Sequence, residues 1–116
     1  MTDPALAKRI REILAGRNAG DPFITYQALA SKLGLQPPGT IQRVAAVLEQ
    51  TMREDVAAGR PMVAALVISR AGDMPRRGFF DLAVALGRFP NEASRHRGAW
   101  QAECVAVTRV QARNES

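Results

Sequence analysis

The stretch that decides the fold runs from Ile24 to Gly34 and reads ITYQALASKLG. Its apolar residues recur at helical spacing after Thr25, a residue type that favours the N-cap of a helix. Gly34 is typical of the position at which a helix ends. The stretch therefore predicts a short helix over residues 25–33, capped by Thr25.

A second helix is predicted after the connector Gln-Pro-Pro-Gly at residues 36–39. Thr40 is expected to cap it, and apolar residues at helical spacing carry it to about Ala58. A buried strand is predicted at residues 62–69, followed by a basic loop at 74–78. Two helices, a short turn, a strand and a basic loop follow one another in the order of a helix-turn-helix with a wing.

Helices are also predicted on both sides of this unit. One runs from Pro4 to Gly16 with Thr2 or Asp3 as its cap, and a short one covers residues 79–87. The last covers residues 92–112 with Asn91 as its cap, although β-branched residues leave a strand open for its second half. We expect one domain over residues 1–116, mainly α with a small β element. It is winged-helix-like over residues 23–87, with an extra N-terminal and an extra C-terminal helix.

The composition is that of an ordinary soluble protein. The 116 residues are 47% hydrophobic and 23% charged, which fits one globular domain. The longest apolar run, residues 62–68, is far shorter than the roughly 20 residues of a membrane span. The N-terminus shows no secretory signal and the single cysteine, Cys104, excludes an internal disulfide. We expect a cytoplasmic, bacterial-type small protein.

The charge points to a polyanionic partner. The formal net charge is +5, and the basic residues exceed the acidic ones mostly in the second half of the chain. Arginine accounts for all of the basic residues except Lys8 and Lys32. Arginine can fork onto phosphate and guanine edges, although a GC-rich genome would favour it equally.

The sequence offers little for catalysis. His96 is the single histidine, and with Cys104 it cannot build a closed zinc site. Positions 96, 100 and 104 share one helical stripe, which favours a structural role around Trp100 over a Cys–His catalytic pair. Neither a phosphate-binding glycine loop nor a nucleophile elbow is present. We expect no enzyme, no cofactor and no metal.

Polar and basic residues fit DNA binding better. Gln42 and Arg43 lie in the first turn of the predicted recognition helix, where side chains approach base edges or phosphates. Hydroxyl groups at helix starts and arginines in the wing can hold phosphates. The predicted DNA-binding residues are Thr25, Tyr26, Thr40, Gln42, Arg43, Arg70, Arg76 and Arg77.

Two further groups of residues, one basic and one mainly apolar, allow other interpretations. A second basic group would be a solvated face or would meet an anionic partner, and it consists of Arg88, Arg95, His96 and Arg97. An exposed patch would make the chain a protein-interaction module on the same fold, and its residues are Met74, Pro75, Phe79 and Phe89. This module is the alternative to a non-enzymatic protein that binds duplex DNA through a recognition helix and a basic wing.

Residues 24–34 and the run QRVAAVL at 42–48 together resemble the DNA-binding domain of the O6-alkylguanine-DNA alkyltransferases and alkyltransferase-like proteins. The resemblance implies that Tyr26 and Arg43 stand where that family has its tyrosine and the arginine that enters the duplex. Residues 61–64 read PMVA where the family has Pro-Cys-His-Arg. The alkyl-accepting cysteine is therefore missing, and alkyl transfer is not expected.

Overall fold

The structure, a computed structural model, describes residues 3–18 and 20–115. In this part of the chain the helices are α1 Pro4–Ala15, α2 Tyr26–Lys32, α3 Thr40–Ala57, α4 Arg77–Ala85 and α5 His96–Glu115. The strands are β1 Ile24–Thr25 and β2 Val67–Ile68, and 3-10 helices cover Val63–Leu66 and Ala93–Arg95. The prediction of a mainly helical chain with a small β element is confirmed.

Side-chain caps account for two of the helix starts. The Oδ1 atom of Asp3 accepts a hydrogen bond from the backbone N–H of Leu6 at 3.1 Å, and Thr25 Oγ1 accepts one from Ala28 at 3.1 Å. Both bonds pair an N–H that the helix itself leaves free. Asp3 and Thr25 are thus confirmed as caps, whereas Thr2 lies outside the described residues.

The predicted cap of α3 is wrong by one residue. Gly39 occupies the N-cap position with φ +76°, and no side chain caps the helix. The chain must turn sharply after Pro38, and glycine alone adopts this left-handed conformation without strain. Thr40 therefore becomes the first residue of α3 rather than its cap.

The predicted strand at residues 62–69 is reduced to its last part. β2 pairs in parallel with β1, with Ile24 opposite Val67 and Thr25 opposite Ile68. The residues before β2 form the 3-10 helix, and buried carboxylates accept hydrogen bonds from the N–H groups of Met62 and Val63 at its start. Parallel pairing brings the ends of both strands to one edge, where α2 begins and the loop at residues 69–76 leads into α4.

The C-terminal region is helical throughout. α5 runs without interruption past residue 110, so the alternative of a strand there is wrong. Asn91 caps no helix, because the 3-10 helix Ala93–Arg95 intervenes and has Glu92 at its N-cap. Trp100 anchors α5 by donating its Nε1–H to the carbonyl oxygen of Ala65 at 2.8 Å.

One cluster of buried apolar side chains joins all five helices. Its centre includes Ile10, Leu29, Val44, Leu66 and Ala83, all fully buried. None of the helices within the described ranges is long and apolar enough to cross a membrane.

Candidate nucleic-acid interface

A cleft of about 320 Å³ separates α3 from the start of α4. We call it the α3–α4 cleft. Its apolar floor contains Leu48, Met52 and Phe79, and polar or charged side chains line its walls. Those wall residues are Tyr26, Gln42, Glu49, Arg76 and Arg77. Half of the predicted DNA-binding residues therefore meet in one place.

Tyr26 holds the start of α4 in position. Its side chain is buried, and its hydroxyl oxygen accepts a hydrogen bond from the backbone N–H of Arg76 at 2.9 Å. The Arg76 guanidinium lies 5.8 Å from the Tyr26 ring centroid, a cation–π contact. Burial raises the pKa of Tyr26, against the opposing effects of the Arg76 N–H and charge. The hydroxyl therefore stays protonated at neutral pH and acts as a positioning group.

The predicted basic loop at residues 74–78 is wrong in its second half, because Arg76 is the N-cap of α4 and Arg77 is its first residue; both are exposed. The Arg77 side chain is 93% exposed and its Nε lies 3.7 Å from Asp81 Oδ2. An ion pair so open to water contributes little and is screened by salt. Both arginines lie at the N-terminal end of α4, where the helix dipole itself favours anions.

The α3 wall of the cleft carries Gln42 and Glu49. Gln42 is exposed in the first turn, so its amide is free to pair with a base edge. Glu49 faces the start of α4, since a Cβ added at Gly78 would lie 3.8 Å from Glu49 Oε2. The Glu49 carboxylate also lies 3.8 Å from the guanidinium of Arg53. Two arginines and one carboxylate thus flank the cleft.

The other predicted residues do not line this cleft. Arg43 extends toward α1, with its Nη2 atom 3.5 Å from Asp3 Oδ2, and both side chains are substantially exposed. Thr25 is used as a helix cap, Thr40 is half-buried at the start of α3, and Arg70 is exposed in the loop at residues 69–76. The predicted site is therefore split between the cleft and its surroundings.

The predicted exposed patch at Met74, Pro75, Phe79 and Phe89 is wrong. Phe79 and Phe89 are only 6% and 5% exposed, Pro75 is buried and Met74 is half-buried. The Phe79 ring packs edge-on against Phe80 at 5.2 Å and against Phe89 at 5.7 Å. These rings close the core between α4 and α5 instead of forming an exposed surface.

The second basic group is not one continuous surface. Arg88 donates to the buried Glu103 at 2.6 Å, and Arg95 lies 3.6 Å from Glu92. His96 Nε2 is 2.8 Å from the Pro90 carbonyl oxygen. Arg97 is exposed and has no ion-pair partner among the described residues. Arg97 is therefore the member of this group that is exposed and has no ion pair within the described ranges, whereas Arg95 is exposed but paired.

The stripe of residues 96, 100 and 104 is structural. Cys104 Sγ and Trp100 Nε1 both contact the carbonyl oxygen of Ala65, at 3.5 and 2.8 Å. Burial, reinforced by the neighbouring Glu103, raises the pKa of Cys104 to about 12. The thiol is thus protonated at neutral pH, and His96 bonds elsewhere. In the part of the chain that the structure covers, no group of His, Cys, Asp and Glu could hold a metal ion.

The sequence pattern did not indicate two buried carboxylates, Asp55 and Glu103. Asp55 Oδ1 accepts from Arg11 at 2.9 Å and from Arg60 at 3.1 Å, and its Oδ2 accepts from the Val63 N–H at 3.1 Å. Glu103 accepts from the Met62 N–H at 2.7 Å. Neither position stands out in the sequence, because each lies in a helix rich in polar residues and binds a group more than 40 residues away, Arg11 for Asp55 and Met62 for Glu103.

Comparisons with known proteins identify no relative: neither a protein-family model, nor a curated protein, nor a solved structure matches the chain.

Proposed function

We propose that this protein binds duplex DNA without catalysing a reaction, using the first turn of α3 and the start of α4. The observation that carries the proposal is that Gln42, Arg76 and Arg77 meet around one cleft although α3 and α4 are separate in the chain. Gln42 would contact a base edge, and the arginines would hold the phosphates beside it.

The helices have the order that such a contact requires. α2 and α3 pack against each other, as in a helix-turn-helix, although residues 33–39 make their connection longer than the usual turn of about three or four residues. The loop at residues 69–76 follows β2 and would take the place of the wing. Winged-helix architecture is therefore part of the proposal, with α3 as the recognition helix.

Arg43 would also contact the DNA once its ion pair with Asp3 is broken. Their 3.5 Å ion pair is exposed on both sides, so it contributes at most about 1 kcal/mol. A DNA phosphate placed near the start of α3 would compete with the Asp3 carboxylate for this guanidinium. The resemblance to alkyltransferase-like proteins supports a role for Arg43, whereas Tyr26 acts by positioning Arg76.

The test is binding of a fluorescently labelled duplex by the Arg76→Ala/Arg77→Ala double variant. We expect its affinity to fall by at least about tenfold, since charge-assisted contacts to phosphate are lost. The Lys8→Ala/Arg109→Ala double variant is the control, because it removes the same charge from exposed residues outside the cleft. An equal loss in both variants, or none in the first, would refute the proposed interface.

A further inference from the structure

A second groove, of about 900 Å³, lies between the loop at residues 69–76, α4 and the start of α5. It shares only Arg76 and Arg77 with the α3–α4 cleft. We call it the basic groove. Its loop residues belong to the segment proposed as the wing, but the proposed DNA contact does not use Phe80, Val84 or Arg97.

The floor of the basic groove is apolar and fixed. Met74, Phe80 and Val84 contribute to it and are all half-buried. The His96 ring stacks on Phe80 with centroids 5.5 Å apart and an interplanar angle of 7°. Because His96 also forms a hydrogen bond with the Pro90 carbonyl oxygen, the stacked His96 and Phe80 rings are held in place. Such a floor favours contact with apolar side chains.

The charged residues of the basic groove give it a positive charge. Three are positive, Arg76, Arg77 and Arg97, and one is negative, Asp81. The net charge of these four side chains is therefore +2. Arg97 lies in the first turn of α5, where the helix dipole disfavours a cation. A negatively charged partner would relieve that unfavourable placement.

We propose that the basic groove binds an acidic peptide segment of a partner protein. Large apolar side chains of the segment would rest on Phe80 and Val84, and its carboxylates would pair with Arg97 and the other two arginines. An apolar centre with a charged rim is the usual anatomy of a protein interface.

The ring geometry favours a peptide over single-stranded nucleic acid. Bases need an open aromatic face on which to stack. One face of Phe80 is covered by His96, and the Phe80 ring also makes a T-shaped contact with Phe79 at 5.2 Å. The floor therefore offers apolar contact without a free stacking platform on Phe80.

The experiment selects peptides from a random phage-displayed library on the folded wild-type protein. We expect the enriched peptides to place Asp or Glu next to Leu, Ile or Phe. Their affinity should fall about tenfold for Arg97→Glu and about threefold for Val84→Ala. Arg109→Glu and Val105→Ala are matched controls, since both residues are exposed on α5 outside the groove, and they should bind as the wild type does.

Three results would overturn the proposal. They are the absence of an enriched consensus, enriched peptides without acidic residues, and affinities that Arg97→Glu and Val84→Ala leave unchanged. Displacement of the peptides by oligothymidylate, together with direct oligothymidylate binding that Arg97→Glu abolishes, would assign the groove to single-stranded nucleic acid instead. Neither Arg97 nor Val84 lines the α3–α4 cleft, so the outcome is independent of duplex binding.

Discussion

At the scale of single residues, the buried carboxylate of Asp55 is the most consequential polar group. It is 1% exposed and forms ion pairs with both Arg11 and Arg60 while accepting a hydrogen bond from the Val63 N–H. Removing it leaves these donors without their acceptor, and an unpaired buried donor is costly.

We therefore predict that Asp55→Ala lowers the free energy of unfolding by about 2–3 kcal/mol, measured by urea denaturation. Both arginines remain partly exposed and can turn to water, which limits the loss. Glu54→Ala is the matched control on the same helix, because Glu54 also binds Arg11 but is 43% exposed. Its cost should stay below about 1 kcal/mol. Equal costs for the two variants would contradict this account of the network.

Cys104 provides a second prediction for a single side chain. Because burial raises its pKa to about 12, the native protein holds almost no thiolate at about pH 8. Iodoacetamide should modify it at least about a hundredfold more slowly in the native state than in urea, as followed by mass spectrometry. The chain has one cysteine, so the mass shift reports this thiol alone. Comparable rates in both states would contradict the burial of Cys104.

The same raised pKa links stability to pH. A thiol whose pKa is higher in the folded state stabilises the fold below its ordinary pKa, and this contribution is lost as the pH rises toward 12. Tyr26 acts in the same direction, because burial raises its pKa too. Urea denaturation across this alkaline range should show stability falling with pH, less steeply for Cys104→Ala. A loss that is equally steep in the variant would show that Cys104 takes no part.

At the scale of elements, two glycines should respond in opposite ways to the same change. Gly39 is the N-cap of α3 with φ +76°, where alanine is strained. Gly98 lies within α5 with nothing within 4 Å of an added Cβ. Gly39→Ala should lower the free energy of unfolding by about 1 kcal/mol, and Gly98→Ala should raise it by about 0.5 kcal/mol. Urea denaturation measures both, and effects of the same sign would contradict the assigned start of α3.

The helices were predictable because their signals are local. Thr25 as a cap and Gly34 as a terminator lie directly beside the helix they delimit, and both were confirmed. The strand at residues 62–69 was largely mispredicted, since a continuous apolar run has no periodicity that separates a strand from a buried 3-10 helix. The N–H groups of Met62 and Val63 are bound by carboxylates from α5 and α3, and no local pattern shows such partners.

At the scale of the whole molecule, the candidate site was predictable only in part. Residue type and charge indicated Gln42, Arg76 and Arg77, which the fold brings to one cleft. Arg43 was predicted beside them, but α1 places Asp3 within reach of its guanidinium. The prediction of an exposed patch was wrong because Phe79 and Phe89 are buried in the core between α4 and α5. Exposure depends on packing between distant elements, which sequence spacing does not encode.

The central claim is that Arg76 and Arg77 neutralise DNA phosphates, and its most direct test is the salt dependence of duplex binding. Each neutralised phosphate contributes about −0.9 to the slope of log Kobs against log salt concentration. We predict that the Arg76→Ala/Arg77→Ala variant has a slope shallower than the wild type by about 2, and the Lys8→Ala/Arg109→Ala variant an unchanged one. Parallel slopes for the wild type and the Arg76→Ala/Arg77→Ala variant would contradict the claim.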